Sequence, residues 1–189
     1  MIKTVTAGLL AQTLAMTMAM TMTGPLAAMA REDEDFDPAT VDLAKLVECQ
    51  TYDVPSYNGF AFWLAGEDGA AARAHLGLTE VKSANFLLKE YRLAAPITVF
   101  GRTTRRVAFN SSGPLAILDE ADPHPLAKQL EIVPAIDVPG KFLGDRLIAE
   151  TTEKVGDSTF ATRITLNVST VTSHPGQVLA GCSYRLEVE

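Results

Sequence analysis

The chain has 189 residues, with 16 basic and 23 acidic side chains, a formal net charge of −7 and only two cysteines. An acidic balance argues against nucleic acid or an anionic membrane surface as the main partner. The length suits a leader followed by one domain with a core of its own.

Residues 1–30 carry the three parts of a secretory signal: Lys3, an uncharged apolar stretch over residues 4–23, and small residues before a cut. Gly24 and Pro25 break the helix ahead of Ala28-Met29-Ala30, which fits the small-x-small pocket of a signal peptidase. Cleavage is predicted between Ala30 and Arg31. An uncleaved anchor is the alternative, because about twenty apolar residues can span a bilayer, but the many threonines, the Gly-Pro break and the cleavage site weigh against it. No cysteine follows the leader closely, so lipid attachment at a new N-terminus is not expected. The exported protein should be periplasmic or secreted, soluble, and without a stable membrane anchor. Loss of Lys3 with the leader leaves 15 basic against 23 acidic side chains, a net of −8.

Residues 31–37, Arg-Glu-Asp-Glu-Asp-Phe-Asp, have almost nothing to bury and read as a disordered acidic lead-in. They lack the glycine-punctuated loop of a calcium site. A single α+β domain is predicted over residues 38–189. Asp37-Pro38 starts a helix, with the carboxylate as cap and proline in the first turn. Leu43, Leu46, Val47 and Gln50 follow at helical spacing and place Cys49 late in that helix. A second helix is expected around residues 56–64, and a third over 68–76, closed by Gly77.

From Phe86 onward the pattern has period two. Residues 87–93, 97–100, 104–109 and 115–118 read as strands, separated by Ala94-Ala95-Pro96, Gly101-Arg102-Thr103 and Ser111-Ser112-Gly113-Pro114. Asp122-Pro123 opens a short helix through Leu130, and a proline-bearing connection follows over residues 134–140. Residues 146–154 and 159–170 form a hairpin about Gly156-Asp157. The last strand places Val178, Ala180, Cys182, Tyr184, Leu186 and Val188 on one face and pairs with its predecessor through the turn at residues 173–176. The fold class is α+β: N-terminal helices packed on a curved, mainly antiparallel β-meander of about six or seven strands. Such a shape can enclose a cavity between helix and sheet.

In an oxidising compartment Cys49 and Cys182 are most simply one disulfide joining the first helix to the last strand; two separate buried thiols are the alternative. The chain lacks a Gly-x-Ser-x-Gly elbow, His-Glu-x-x-His, a phosphate loop, Cys-x-x-Cys and a dinucleotide glycine pattern. No cofactor or metal is called for, since His75, His124 and His174 have no ligand spacing, and the two flanked by proline suit turns. Ser173 beside His174 is not read as a nucleophile with its base, because adjacent side chains on an extended chain point apart. Glu48, Asp53, Glu67 and Asp68 lie near aromatics, a reminder of carbohydrate acid and base pairs, but they read first as helix-end charges. Asn110-Ser111-Ser112 and Asn167-Val168-Ser169 match the N-glycosylation pattern, which matters only for a eukaryotic source.

Two surfaces are candidate sites. Tyr52, Tyr57, Phe60, Phe62 and Trp63 gather five of thirteen aromatics, and Tyr57, Phe60 and Trp63 share a helix face that is mostly core or the wall of a cavity. Lys89, Arg92, Arg102, Arg105 and Arg106 form a basic hairpin suited to an anionic group or an acidic protein, or an ordinary guarded sheet edge. The leading expectation is an exported, non-enzymatic binding module contacting a protein or envelope component. A carrier of a small apolar ligand between helix and sheet is second, and a cell-wall-directed hydrolase with carboxylate catalysis is third.

Overall fold

The computed structural model describes residues 36–188; the leader, its cut and the first five residues of the acidic lead-in lie outside them. The helix expected from Asp37 to Cys49 is instead two pieces, a 3-10 turn at Pro38–Thr40 and a helix, α1, at Leu43–Val47. Two carboxylates compete for the same stretch. Asp37 caps the first piece through Ala39 N–H, and Asp42, five residues on, takes Ala44 and Lys45 N–H. The chain between them is extended at Val41. Helix α2, Val54–Ala65, is capped by Asp53 on Ser56 N–H at 2.8 Å. Helix α3, Gly69–His75, runs out into Gly77 at a φ of 64°, the left-handed conformation that glycine adopts freely.

The rest is dominated by an open sheet of eight antiparallel strands, one or two more than the sequence suggests. They are β1 Leu78–Val81, β2 Lys89–Val99, β3 Arg102–Phe109, β4 Pro114–Leu118, β5 Val133–Val138, β6 Lys141–Val155, β7 Ser158–Ser169 and β8 Val178–Val188. The spatial order β1-β2-β3-β4-β8-β7-β6-β5 makes two meanders rather than one. After β4, helix α4 at His124–Gln129 carries the chain to the far edge, and the second meander returns until β8 pairs with β4.

Prolines make one strand read as two and conceal another. Residues 94–96 do not turn; β2 runs through them with a register shift between Arg92 and Ile97, which takes up Pro96 at an irregularity where no ladder bond is needed. Pro134 likewise sits in β5, an edge strand. Strand β1, four residues long, pairs with β2 from Leu78↔Leu93 to Val81↔Glu90.

The helices cover one face of the sheet, where Leu46, Val47, Phe60, Leu118, Val168, Val178 and Cys182 form the main core. On the opposite face Leu88, Ala108, Leu115, Ile117 and Leu179 make a smaller cluster with Val171 against it. Strand β4 and residues 178–184 of β8 are therefore buried on both sides. Gly113 and Gly181 permit this closeness, since a Cβ at either would strike the carbonyl of Cys182 or of Pro114.

Cys49 and Cys182 stand at disulfide distance, with Cα atoms 5.1 Å apart. Cys49 follows α1 at a φ of 57°; there Gln50 N–H reaches Lys45 O and Cys49 N–H reaches Leu46 O. This is a Schellman ending with cysteine where glycine is usual. Beyond the helices, the outer parts of β6, β7 and β8 continue as a three-stranded ribbon. Strand β5 pairs with β6 only as far as Asp145, while β6 follows β7 to Val155↔Ser158. Leu147, Ile148, Val155, Leu186 and Val188 are exposed on this ribbon.

Candidate functional site

The face of the sheet away from the helices carries a connected polar network at its floor. Glu90 of β2, only 3% exposed, is its hub. Its Oε1 accepts from Ser83 Oγ and lies 3.0 Å from His174 Nε2, while Oε2 accepts from Arg106 Nη2 at 2.9 Å. Arg106 also donates to Gln177 Oε1, and Gln177 Nε2 donates to Asp119 at 2.6 Å. Burial pushes the Glu90 carboxyl up, but the hydrogen bonds from Ser83 and Arg106 and the charges of His174 and Arg106 together hold it below the usual carboxylate range.

His174 is 4% exposed, and its Nδ1 lies 2.9 Å from Ser173 Oγ. The expectation that these adjacent side chains diverge fails, because the segment is a turn closed by His174 N–H on Val171 O rather than an extended chain. In the neutral tautomer that donates Nε2–H to Glu90, Nδ1 accepts from the Ser173 hydroxyl. The chain of serine, imidazole and carboxylate resembles an activated nucleophile in connectivity, and Arg106 on the second oxygen of Glu90 ties it further into the sheet. Its evident work is fastening: it pins the loop before β2 and the connection after β7 onto the sheet.

The pinned segments border two recesses. The larger, about 570 Å³, lies between the loop before α4, the β5–β6 turn and the β7–β8 connection. The smaller, about 450 Å³, lies between Ala84–Phe86, Gly140-Lys141 and residues 170–173. Within the larger one His124 bridges two carboxylates, with Nδ1 at 2.6 Å from Asp122 and Nε2 at 3.0 Å from Asp137. The hydrogen bond to Asp122 and then that to Asp137 raise the His124 pKa. Any stability from this arrangement is present below the ordinary histidine value of about 6.5 and lost as pH rises through the raised one. A proton NMR titration should place the His124 midpoint above about 6.5, and Asp137→Asn should move it back down.

The loop beside the smaller recess is braced from within. Ser83 Oγ bonds Glu90 and accepts from Asn85 N–H, and Asn85 Oδ1 accepts from Leu87 N–H. These are side-chain turns stacked in sequence. They leave Phe86 95% and Leu87 65% exposed. The strand expected from residue 87 therefore begins only at Lys89.

The aromatic candidates are packed among themselves. Tyr57 stacks on Tyr184 with centroids 4.8 Å apart, and Phe60 lies against Trp63 and Phe109. Burial pushes the Tyr57 phenol up to about 12. Phe62 alone of that group points outward, and Trp63 meets His75 edge-on.

The basic candidates do not form one patch. Arg102 donates to Glu120 at 2.6 Å, to Gln129 and to Phe100 O, bracing the tight β2–β3 turn in which Phe100 has a φ of 54°. Arg105 donates to Ala94 O. Lys89 lies on the helix-side face with Tyr91 and Leu93, 3.8 Å from Glu80, whereas Arg92 lies with Glu90 and Arg106 on the other face and points to solvent. Of the carboxylates, Glu48 accepts from Phe100 N–H, Asp53 caps α2 and Asp68 precedes α3. In the sequence, Phe86, Asp122 and Asp137 carry no mark as site residues beyond Ser83-x-Asn85, two turn-forming side chains ahead of the apolar pair at Phe86 and Leu87.

No protein family model, curated protein or solved structure matches this chain. Among the described residues no helix is long and apolar enough to cross a membrane, and no group of three or more histidine, cysteine or acidic side chains is placed to hold a metal.

Proposed function

We propose that the chain is an exported, non-enzymatic binding module that grips a protein of the cell envelope through the Phe86–Leu87 tip and the recess beside it. The observation that carries this reading is a nearly fully exposed phenylalanine on a loop braced by three side-chain hydrogen bonds. Burying such a side chain is worth about 1.5–3 kcal/mol. A rigid loop that holds it in water is preorganised to place it in a pocket of a partner, as interface anchors are. Arg92, on the sheet face of Glu90 and pointing to solvent, remains to contact an acidic rim. The carrier reading is weaker, since Tyr57 and Phe60, which would line its cavity, are packed on other aromatics.

The test is made in the source cell, with a photo-crosslinking residue in place of Leu87. One adduct of defined mass with an envelope protein is expected, and that protein, once purified, should bind Phe86→Asp about thirtyfold more weakly than the wild type. Absence of an adduct, or equal binding by Phe86→Asp, overturns the reading.

A further inference from the structure

Independently of the surface at Phe86, the outer part of β6 is a strand with one side unpaired among the described residues, from Leu147 to Val155. We infer that it pairs with the same segment of a second copy of this chain, antiparallel and centred on Thr152. The Gly156-Asp157 turn has two residues, so Val155 and Ser158 form a hydrogen-bonded pair. By alternation Thr151, Glu153 and Val155 direct their backbone groups to β7, while Glu150, Thr152 and Lys154 turn theirs outward.

A two-fold axis at Thr152 brings those outward groups into register. Glu150 then faces Lys154 of the second copy, twice by symmetry, and Ala149 faces Val155. Of the two neighbouring registers that keep outward groups paired, one opposes Glu153 to its own copy, which is repulsive, and the other sets Glu150 against Thr152 and Lys154 against Ile148, with no opposite charge. Edge charges that discourage indiscriminate pairing thus select one arrangement here. Glu150 is held in place by Arg163 of β7 at 3.7 Å, on the same face. The partner is a second copy because the segment is complementary in charge to itself when reversed, and the contact is isologous.

Sedimentation equilibrium of the purified exported chain tests this. A dimer is expected, with Glu150→Lys and Lys154→Glu each raising its dissociation constant about tenfold, and the double exchange returning it to within about twofold of the wild type. Thr152→Pro, which removes an outward N–H, should give a monomer with an unchanged circular dichroism spectrum. A wild-type monomer at high concentration, or a dimer indifferent to both charge exchange and Thr152→Pro, overturns the inference; if the dimer fails while Phe86 still binds its partner, only this contact is lost.

Discussion

Replacing both cysteines, Cys49→Ala with Cys182→Ala, should lower the free energy of unfolding by about 4 kcal/mol in urea titrations. The bond spans 133 residues, so its loss frees a long loop in the unfolded state. The backbone at position 49 adds a separate, local term. Cys49 occupies the left-handed position that ends α1, which a side chain other than glycine holds at a cost of about 1 kcal/mol. Cys49→Gly with Cys182→Ala should therefore be more stable than the double alanine variant by about 1 kcal/mol. Cys182 is wholly buried, two residues from Tyr184, whose hydroxyl donates to Leu46 O. That hydrogen bond holds α1 to β8 and should keep them together after reduction, so the reduced protein folds, but weakly.

Arg106→Met should cost about 2–3 kcal/mol at neutral pH, less than the full cost of breaking a buried ion pair, because the guanidinium is about a third exposed. Glu90 would lose its charged partner while still buried. The pH dependence follows from the direction of its pKa. In the folded protein that pKa is lowered, so its contribution is present above the ordinary value of about 4.3 and is lost as pH falls through the folded value. Without Arg106 the carboxyl titrates higher. The gap between wild type and variant in denaturation curves should be widest near neutrality and close as pH falls through the lowered folded value. A pull-down with Arg102, Arg105 and Arg106 all changed to alanine would thus report on folding as much as on binding.

The parts of the fold that were legible in the sequence are those set by a local period or a local cap. Helices α2, α3 and α4 fall within two residues of expectation, the hairpin at Gly156-Asp157 is where turn chemistry places it, and β8 shows its alternation plainly. The pairing of Cys49 with Cys182 follows from there being only two cysteines. The misses have a different cause. Pro96 and Pro134 look like breaks, but an irregular register and an edge position each dispense with the missing N–H. The path from β4 to the far edge depends on which strand completes the sheet, a choice no window of residues records.

The candidate site was less legible because its organising contacts are distant in sequence. Glu90 reads as an ordinary polar position of a strand, yet it joins Ser83, Arg106 and His174, the last 84 residues away. Arg106 reads as a surface cation for the same reason. One of the three hydrogen bonds that brace the Phe86 loop, from Ser83 to Glu90, belongs to that network.

The central claim, that Phe86 on its braced loop is the binding anchor, is tested most directly by isothermal titration of the crosslinked partner, once purified, against three forms of the protein. Phe86→Ala should bind about thirtyfold more weakly than the wild type, while Arg102→Lys, remote from the tip, should bind as the wild type does. Full affinity in Phe86→Ala, with its fold intact by circular dichroism, would contradict the account.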